Sequence, residues 1–309
     1  MDTRARGQPE PDPQVAVGER RQLLNLAYRL LGSLTEAEDA VQDAYVRWYR
    51  LAPSQRDTIE SPGAWLTTVV GRICLDLLGS ARSRRERYVG AWIPEPLPGS
   101  HDWVSGRLGG TSVDPVDQVS LDESISMAFL VVLESLTPAE RVAFVLHDVF
   151  QYSFAEVAGI VGRTPAACRQ LAYSARRRLR ESRTTGAPSA GKDRIVGEFK
   201  RAWEARDIAA LVDLLDPAAR MVADGGGQVS AALAPLDGGG RVAHYLVQLL
   251  NRLPELTLQE CTVNRRPGLV ARHDGATVAV LAFEFAGDRI TQVWTVRNPD
   301  KLGPWKPHP

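Results

Sequence analysis

The side chains best suited to bind another molecule follow one another at helical spacing between Ala166 and Arg177. Arginine forks fit phosphates and the edge of guanine, a glutamine amide fits adenine, and an aromatic ring can contact a sugar or a base. Residues of these types on one helix face favour nucleic-acid recognition. The face consists of Ala166, Arg169, Gln170, Tyr173, Arg176 and Arg177.

Two short helices must position this face. Ser153 and Glu156 form a capping-box pattern at the start of the first helix, and Gly162 is suited to end it. Thr164 can cap the second helix, with Pro165 in its first turn. The pattern predicts a helix-turn-helix with the recognition helix second. The alternative interpretation is an ordinary helical hairpin with a solvated basic face.

Charge is balanced overall and segregated locally. The 309 residues carry 37 basic and 37 acidic side chains, so net charge does not indicate a nucleic-acid partner. Residues 163–183, however, hold seven arginines and one acid, and residues 82–87 hold four arginines and one acid. Residues 36–43 hold four acids and no base. We expect two polyanion-binding patches and a separate acidic docking surface.

Neither a metal nor a cofactor is expected. The three cysteines, Cys74, Cys168 and Cys261, are isolated in apolar segments and have no metal-ligand spacing. We interpret these cysteines as buried thiols in a reducing cytoplasm. The sequence has neither a signal-peptide pattern nor an apolar run long enough to span a membrane.

Periodicity predicts two helical domains followed by an α+β domain. In the first domain, Thr35 and Glu38 are expected to form a capping box for an acidic helix. A later helix exposes Trp65, Thr68 and Arg72 and runs into Arg82, Arg84 and Arg85. A helix from Pro138 through Val149 precedes the helix-turn-helix. The expected segments are a first domain at 16–88, a linker at 89–119, a second domain at 120–184, a linker at 185–192 and a third domain at 193–309.

The third domain is predicted to hold helices at 193–205, 208–215 and 241–252 and an antiparallel sheet. Strands are expected at 221–223, 256–264, 269–273, 277–285 and 289–296. The three glycines after Asp224 indicate a mobile or tightly turned loop and argue against a fixed carboxylate there.

Residues 16–184 resemble an extracytoplasmic-function (ECF) sigma factor, a bacterial transcription initiation factor. The similar blocks are Leu30–Tyr45, which resembles the sigma-2 helices, Ala64–Asp76, which resembles the promoter-melting helix, and Leu136–Arg180, which resembles sigma-4. Three blocks in the family's order are far more specific than a lone helix-turn-helix. The resemblance implies core RNA polymerase and promoter DNA as partners.

The resemblance also implies roles for particular residues. The acidic face would dock on core polymerase through Asp39, Gln42 and Asp43. The −10 element would contact Trp65, Thr68, Arg72, Arg82, Arg84 and Arg85, with Trp65 stacking on an exposed base. Since Ala64 precedes Trp65 where primary sigma factors tend to carry a second aromatic, weaker melting is expected. The −35 element would contact Thr164, Pro165, Ala166, Arg169, Gln170, Tyr173, Arg176 and Arg177.

The last third of the chain is similar to the sigma-J-like subgroup, which carries a SnoaL-like domain of the cone-shaped NTF2 fold. The marks are a Trp-Ile-Pro-Glu-Pro-Leu linker segment at 92–97, Asp-Gly-Gly-Gly at 224–227 and Asn-Pro-Asp-Lys-Leu at 298–302. The family usually follows the glycines with lysine, where this chain has Gln228. The regulatory residues implied are Trp92, Pro94, Glu95, Asp224, Gly225, Gly226, Gly227, Asn298, Pro299, Asp300, Lys301 and Leu302.

The expected role of the third domain is regulation in cis, not catalysis. Two questions stay open: whether an unknown small ligand binds in its pocket, and whether the domain activates or inhibits. Candidate acid–base residues for a SnoaL-type cyclase or isomerase are Asp224, His244, Tyr245, His273 and Glu284, but no two of them form a recognisable pair in the sequence. The remaining alternative is a helix-turn-helix regulator that acts without polymerase.

Overall fold

A computed structural model describes residues 13–85, 88–99, 123–182, 191–232 and 234–306; of residues 13–18, 81–85, 123 and 182 it describes the backbone alone. The fold class is confirmed: two all-α domains precede an α+β domain.

The first helical domain consists of α1 (Pro13–Leu31), α2 (Leu34–Arg50), the single turn α3 (Pro53–Arg56) and α4 (Pro62–Arg85). The side chain of Ser33 accepts a hydrogen bond from the backbone N–H of Glu36, so α2 begins at Leu34. The predicted capping box of Thr35 and Glu38 is therefore wrong, because the chain enters the helix two residues earlier.

The second helical domain contains a 3₁₀ turn (Glu123–Ile125), α5 (Met127–Leu133), α6 (Pro138–Phe144), a π-helical turn (Val145–Val149), α7 (Phe154–Val161) and α8 (Pro165–Ser182). The α-helix expected to run from Pro138 through Val149 thus changes its hydrogen bonding at Val145: the N–H of Phe150 donates to the carbonyl of Val145, five residues back, at 3.1 Å. The predicted caps of the helix-turn-helix are confirmed, with the Ser153–Glu156 capping box and Gly162 left-handed at φ 70°.

The two helical domains share one hydrophobic core. Helix α4 packs against α7 so closely that a Cβ on Gly71 would lie 2.7 Å from Cγ2 of Ile160. The side chain of Arg141 in α6 donates to the carbonyl of Leu30 at the end of α1, at 3.0 Å. The two helical domains therefore pack as one body.

The α+β domain contains α9 (Lys192–Glu204), α10 (Ile208–Leu214), β1 (Leu215–Asp224), β2 (Leu236–Asp237), α11 (Gly239–Arg252), β3 (Thr257–Val263), β4 (Arg266–His273), β5 (Ala276–Ala286) and β6 (Arg289–Val296). The strand order is β2-β1-β6-β5-β4-β3. Strand β1 runs parallel to β6. The sheet is mixed and not purely antiparallel as expected, because β1, the first long strand in the chain, pairs with β6, the last.

The two faces of this sheet are covered differently. Helices α9, α10 and α11 pack on one face around Phe199, Trp203 and Phe283. The other face, around Trp294 and Val280, is covered by the linker residue Ile93, by Met127 of α5, and by Leu302 and Trp305 near the C-terminus. The sheet thus contacts both the linker and the second helical domain.

Candidate nucleic-acid and regulatory sites

The recognition helix presents most of the predicted −35 residues to solvent. Thr164, Pro165, Ala166, Arg169, Gln170, Tyr173 and Arg177 are exposed, whereas Cys168 and Ala172 are buried beneath them. The hydroxyl of Thr164 accepts from the N–H of Ala167 at 3.2 Å, which is the predicted cap.

Two of the arginines predicted to contact the −35 element already have partners within the domain. The Cζ atom of Arg169 lies 5.2 Å from the centroid of the Phe154 ring. Arg176 is half-buried, and its Nε donates to Oδ1 of the buried Asp148 at 2.6 Å. Arg176 thus anchors the helix to the preceding turn in this structure, and its role in reading bases stays a prediction.

The predicted −10 residues lie on α4. Trp65 is half-buried, with its ring centroid 5.2 Å from that of Trp48. The hydroxyl of Thr68 donates to the carbonyl of Ala64. Arg72 is exposed, and its Nη2 donates to the carbonyl of Gly159 in α7 at 2.8 Å. The side chains of Arg82, Arg84 and Arg85 lie outside the described part of the chain.

The predicted polymerase-binding residues share one face of α2. Asp39 and Gln42 are exposed, and Asp43 is half-exposed in an i,i+4 ion pair with Arg47 at 2.8 Å. A surface pair of this kind contributes little to stability, about 0.5 kcal/mol, so the carboxylate can exchange partners at small cost.

Asp224, at the end of β1, is fully buried and fixed by donors from three segments. Its Oδ1 accepts from the hydroxyl of Tyr88 at 2.6 Å and from the N–H of Gly226 at 3.0 Å. Its Oδ2 accepts from the N–H of Ile93 at 3.0 Å and from Nζ of Lys301 at 2.7 Å. The expectation that the carboxylate is not fixed is wrong, because the glycine turn folds back on the carboxylate.

Lys301 completes this cluster from the C-terminal segment. Its ammonium also donates to the carbonyl of Ile93 at 2.5 Å and lies 4.2 Å from the ring centroid of Trp92. The side chain of Asn298 donates to the hydroxyl of Tyr88. Burial and the adjacent Asp224 raise the pKa of Tyr88, so its phenol stays protonated and donates. The three marks of the sequence analysis thus meet at one place.

The exposed rim of the cluster holds Gln228, the position where the sequence departs from the family that it resembles. Nε2 of Gln228 donates to Oδ2 of Asp300 at 2.6 Å. Pro299 begins the 3₁₀ turn that carries Asp300 and Lys301, and Leu302 packs on the sheet. Gly225 fits a crowded turn, where a Cβ would lie 2.5 Å from the carbonyl oxygen of Val229, and Gly227 is left-handed at φ 71°.

Glu95 ties the other side of the linker to the first helical domain. Its Oε2 accepts from the N–H of Leu34 at 2.7 Å, at the start of α2, and from the hydroxyl of Ser33. Its backbone N–H donates to the carbonyl of Gly32, close to Pro94. Burial raises the pKa of Glu95, and the hydrogen bonds from Leu34 and Ser33 oppose that rise.

Asn264 was not identified from the sequence. It is buried in a left-handed turn, and it exchanges hydrogen bonds with the backbone of Leu97 in both directions at 2.8 Å. Its amide also donates to the hydroxyl of Tyr28 and to the carbonyl of Ile125. One side chain therefore joins the α+β domain to the linker and to both helical domains. An Asn at the β3–β4 turn was the only local signal.

The candidate acid–base residues do not converge. His244 and Tyr245 line a shallow cavity of about 460 Å³ on the outside of α11, with Leu236, Gly240, Arg241 and Gln248. His273 lies at the end of β4 beside Asp274, and Glu284 pairs across strands with Gln292. Asp224 lies in the linker cluster, so the structure brings no two of the five groups other than the adjacent His244 and Tyr245 to one place.

Among the residues that the structure describes, no cluster of three His, Cys, Asp or Glu side chains is arranged to hold a metal ion. Over the same residues, no helix combines the length and apolar character needed to cross a membrane.

Comparisons with known proteins assign both helical domains. Residues 17–84 match the Sigma-70 region 2 family, and residues 126–179 match the Sigma-70 region 4 family. The ECF RNA polymerase sigma factor SigJ of Mycobacterium tuberculosis H37Rv is 36% identical over 295 residues, which are 92% of this chain and 90% of the relative. The chain belongs to the ECF RNA polymerase sigma factors.

Two further similarities extend over more than nine-tenths of this sigma factor. The probable ECF RNA polymerase sigma factor SigI of M. tuberculosis is 33% identical over 92% of both chains. The crystal structure of M. tuberculosis SigJ superposes with a TM-score of 0.72 at 32% identity, covering 94% of this chain and 98% of that one. The protein is thus a transcription initiation factor that binds core RNA polymerase and recognises promoter DNA.

Proposed function

We propose that the α+β domain of this ECF sigma factor regulates initiation in cis by clamping the linker segment Trp92–Leu97 and holding the two DNA-binding domains closed. The observation that carries the proposal is that the linker is bound on both sides. Asp224 and Lys301 bind one side of it, and the start of α2 binds Glu95 on the other. Since the linker must change course for the two domains to separate, a ligand or partner that releases it would activate the factor.

In the closed arrangement, a residue predicted to bind DNA also takes part in a contact between the two helical domains. Arg72 donates to the carbonyl of Gly159, so a residue predicted to contact the −10 element is bonded to the −35 domain. The −10 and −35 elements are separate sites on one duplex. The two helical domains, in contrast, are kept together by their shared hydrophobic core. Opening is therefore the step that the α+β domain controls.

In the open state, Asp39, Gln42 and Asp43 dock on core polymerase. Trp65, Thr68, Arg72, Arg82, Arg84 and Arg85 contact the −10 element, and Thr164 through Arg177 contact the −35 element. Base–aromatic stacking on Trp65 is worth about 1–3 kcal/mol, which is comparable to the cost of unpairing one base step. Rotation of Trp65 away from Trp48 would expose its face for that stack.

We assign a cytoplasmic location to the protein.

We assign no catalytic role to the α+β domain. The aromatic rings of Phe199, Trp203, Phe283 and Phe285 pack against one another between the helices and the sheet, where a SnoaL-type enzyme would bind its substrate. Phe199 and Phe283 are 5.3 Å apart at an interplanar angle of 69°.

The test is promoter-specific transcription with purified core polymerase, comparing the full chain, a chain that ends before Asn298 and a chain that ends at Ser182. The proposal predicts that the chain ending before Asn298, which lacks Lys301, initiates more than the full chain. Equal or lower initiation by that chain would overturn the clamp. If no chain initiates but the full chain binds duplex DNA tightly alone, the protein acts as a regulator without polymerase.

A further inference from the structure

The π-helical turn Val145–Val149, just before the helix-turn-helix, places two side chains against the DNA-reading elements. Single π-helical turns are rare and occur often at functional sites. His147 contacts Phe154 at the start of α7, and Asp148 contacts Arg176 of α8. The proposed function uses neither residue.

The imidazole of His147 is fixed in orientation. Its Nδ1 lies 2.8 Å from the carbonyl oxygen of Tyr152. Because a carbonyl can only accept, Nδ1 carries the proton. The loop is held in turn by the hydrogen bond from the N–H of Tyr152 to the carbonyl of Leu146 and by the left-handed backbone of Gln151 at φ 62°. The ring is thus held by the carbonyl of Tyr152, in a loop that is itself bonded back to the π turn.

The fixed imidazole supports the ring of Phe154. The two ring centroids are 3.8 Å apart at an interplanar angle of 27°, so His147 fills one face of Phe154. The guanidinium of exposed Arg169 lies over the same phenyl ring, 5.2 Å from its centroid. A planar, weakly hydrated guanidinium stacks well on an aromatic face. The phenyl ring therefore gives a long, flexible side chain a preferred direction before DNA binds.

Asp148 fixes the helix that carries Arg169. It is buried, and it holds Nε of Arg176 at 2.6 Å. Arg176 lies seven residues after Arg169, two helical turns along the same face. The two contacts therefore support the reading face of α8 at two points.

We propose that His147 is a positioning residue for −35 recognition, which it serves through Phe154 by holding the guanidinium of Arg169 in a base-reading orientation. This inference rests on the proposed function, in which Arg169 contacts the −35 element. Pre-organisation lowers the entropic cost of ordering the side chain on DNA, and it favours the base whose edge matches the held geometry.

The test uses the full chain with core polymerase on a template library that is randomised at the −35 element and unpaired at the −10 element. Unpairing the −10 element makes initiation independent of melting, and sequencing the transcribed templates gives the base preference at each −35 position. Arg169→Ala identifies the position that Arg169 reads. A bidentate arginine contact should give about tenfold preference or more at that position.

Two substitutions of His147 separate the stack from the hydrogen bond. His147→Asn keeps a donor toward Tyr152 and removes the ring, whereas His147→Phe keeps a ring and removes the donor. We expect His147→Asn to lower the preference at the Arg169 position at least about threefold, and His147→Phe to retain it. Preferences at the other −35 positions should not change with either variant.

Each remaining outcome overturns the inference in a distinguishable way. If Arg169→Ala changes the preference at one position and His147→Asn does not, His147 does not position Arg169, although Arg169 reads DNA. If Arg169→Ala changes no preference, Arg169 does not read the −35 element and the assignment itself fails. If His147→Asn weakens all positions equally, or if His147→Phe acts like His147→Asn, the role of His147 is to support the loop.

Discussion

At the residue scale, the most unusual feature is a buried ion pair. The carboxylate of Asp224 and the ammonium of Lys301 are 2.7 Å apart, with side-chain exposures of 0% and 10%. Burying two ions is costly, and a pair of this kind is retained when its remaining hydrogen bonds are satisfied. Tyr88, Gly226 and the backbone of Ile93 satisfy them here. The pair therefore depends on the segment 88–93, which supplies two of those groups.

Removing one partner of this pair should release the linker. We expect Asp224→Asn to cost about 3–5 kcal/mol of linker docking, because it leaves a buried ammonium without a counterion. Chymotryptic cleavage near Tyr88 and Trp92 should then accelerate by about 150- to 5,000-fold. The double variant Asp224→Asn with Lys301→Met should recover part of this loss, and strictly additive effects of the two changes would contradict the pairing.

Glu95 should make docking depend on pH. Its pKa is raised above the ordinary value of 4.5 when it is docked. A carboxyl with a raised pKa binds its proton more tightly in the docked state, so docking is strongest below 4.5 and weakens as pH rises through the docked pKa. Protection of the linker from chymotrypsin should fall over that range in the wild type. Glu95→Gln should lack this component, and an equal pH dependence in the variant would show that another group causes it.

At the element scale, contacts within a few residues were predictable and distant ones were not. The helix-turn-helix follows from Ser153, Glu156, Gly162 and Thr164, each of which acts on backbone three or four residues away. The π turn was not predictable, because the apolar spacing from Pro138 to Val149 fits an ordinary helix. Nor was the burial of Asp224, since its partners Tyr88 and Lys301 are 136 and 77 residues distant.

The turn between α7 and α8 should depend on glycine at one position alone. Gly162 is left-handed at φ 70°, so Gly162→Ala should destabilise the domain by about 1 kcal/mol. Gly159 is a matched control, because it lies inside α7 and a Cβ there would meet nothing within 4 Å. Gly159→Ala should stabilise by about 0.5–1 kcal/mol, as alanine does inside a helix. Urea unfolding measures both, and equal effects would contradict the turn geometry.

At the scale of the whole molecule, one α+β domain contacts both DNA-binding domains and the chain between them. Asn264 bonds to Leu97, Tyr28 and Ile125, which belong to the linker and to the two helical domains. The sequence predicted the helical domains and the third domain's class, because each follows from its own periodicity. How they pack depends on shape complementarity between distant segments, as at Gly71 and Ile160.

The closed arrangement should be opened by one methyl group. A Cβ on Gly71 would lie 2.7 Å from Cγ2 of Ile160, a stiff, buried side chain, so Gly71→Ala should force α4 and α7 apart. Gly79 lies on the same helix with nothing within 4 Å of its Cβ, and Gly79→Ala is the matched control. Initiation by the full chain should rise with Gly71→Ala and not with Gly79→Ala. A fall in initiation with a correctly folded variant would contradict the role of the contact.

The most direct test of the clamp is the distance between the two DNA-binding domains in the full chain. Fluorophores at Glu60, before α4, and at Glu181, at the end of α8, lie on exposed positions of the two domains. Energy transfer between them should be high in the free protein and should fall on binding core polymerase and promoter DNA. Asp224→Asn should lower the transfer in the free protein already. Unchanged transfer in the transcribing complex would contradict an account in which initiation requires the domains to separate.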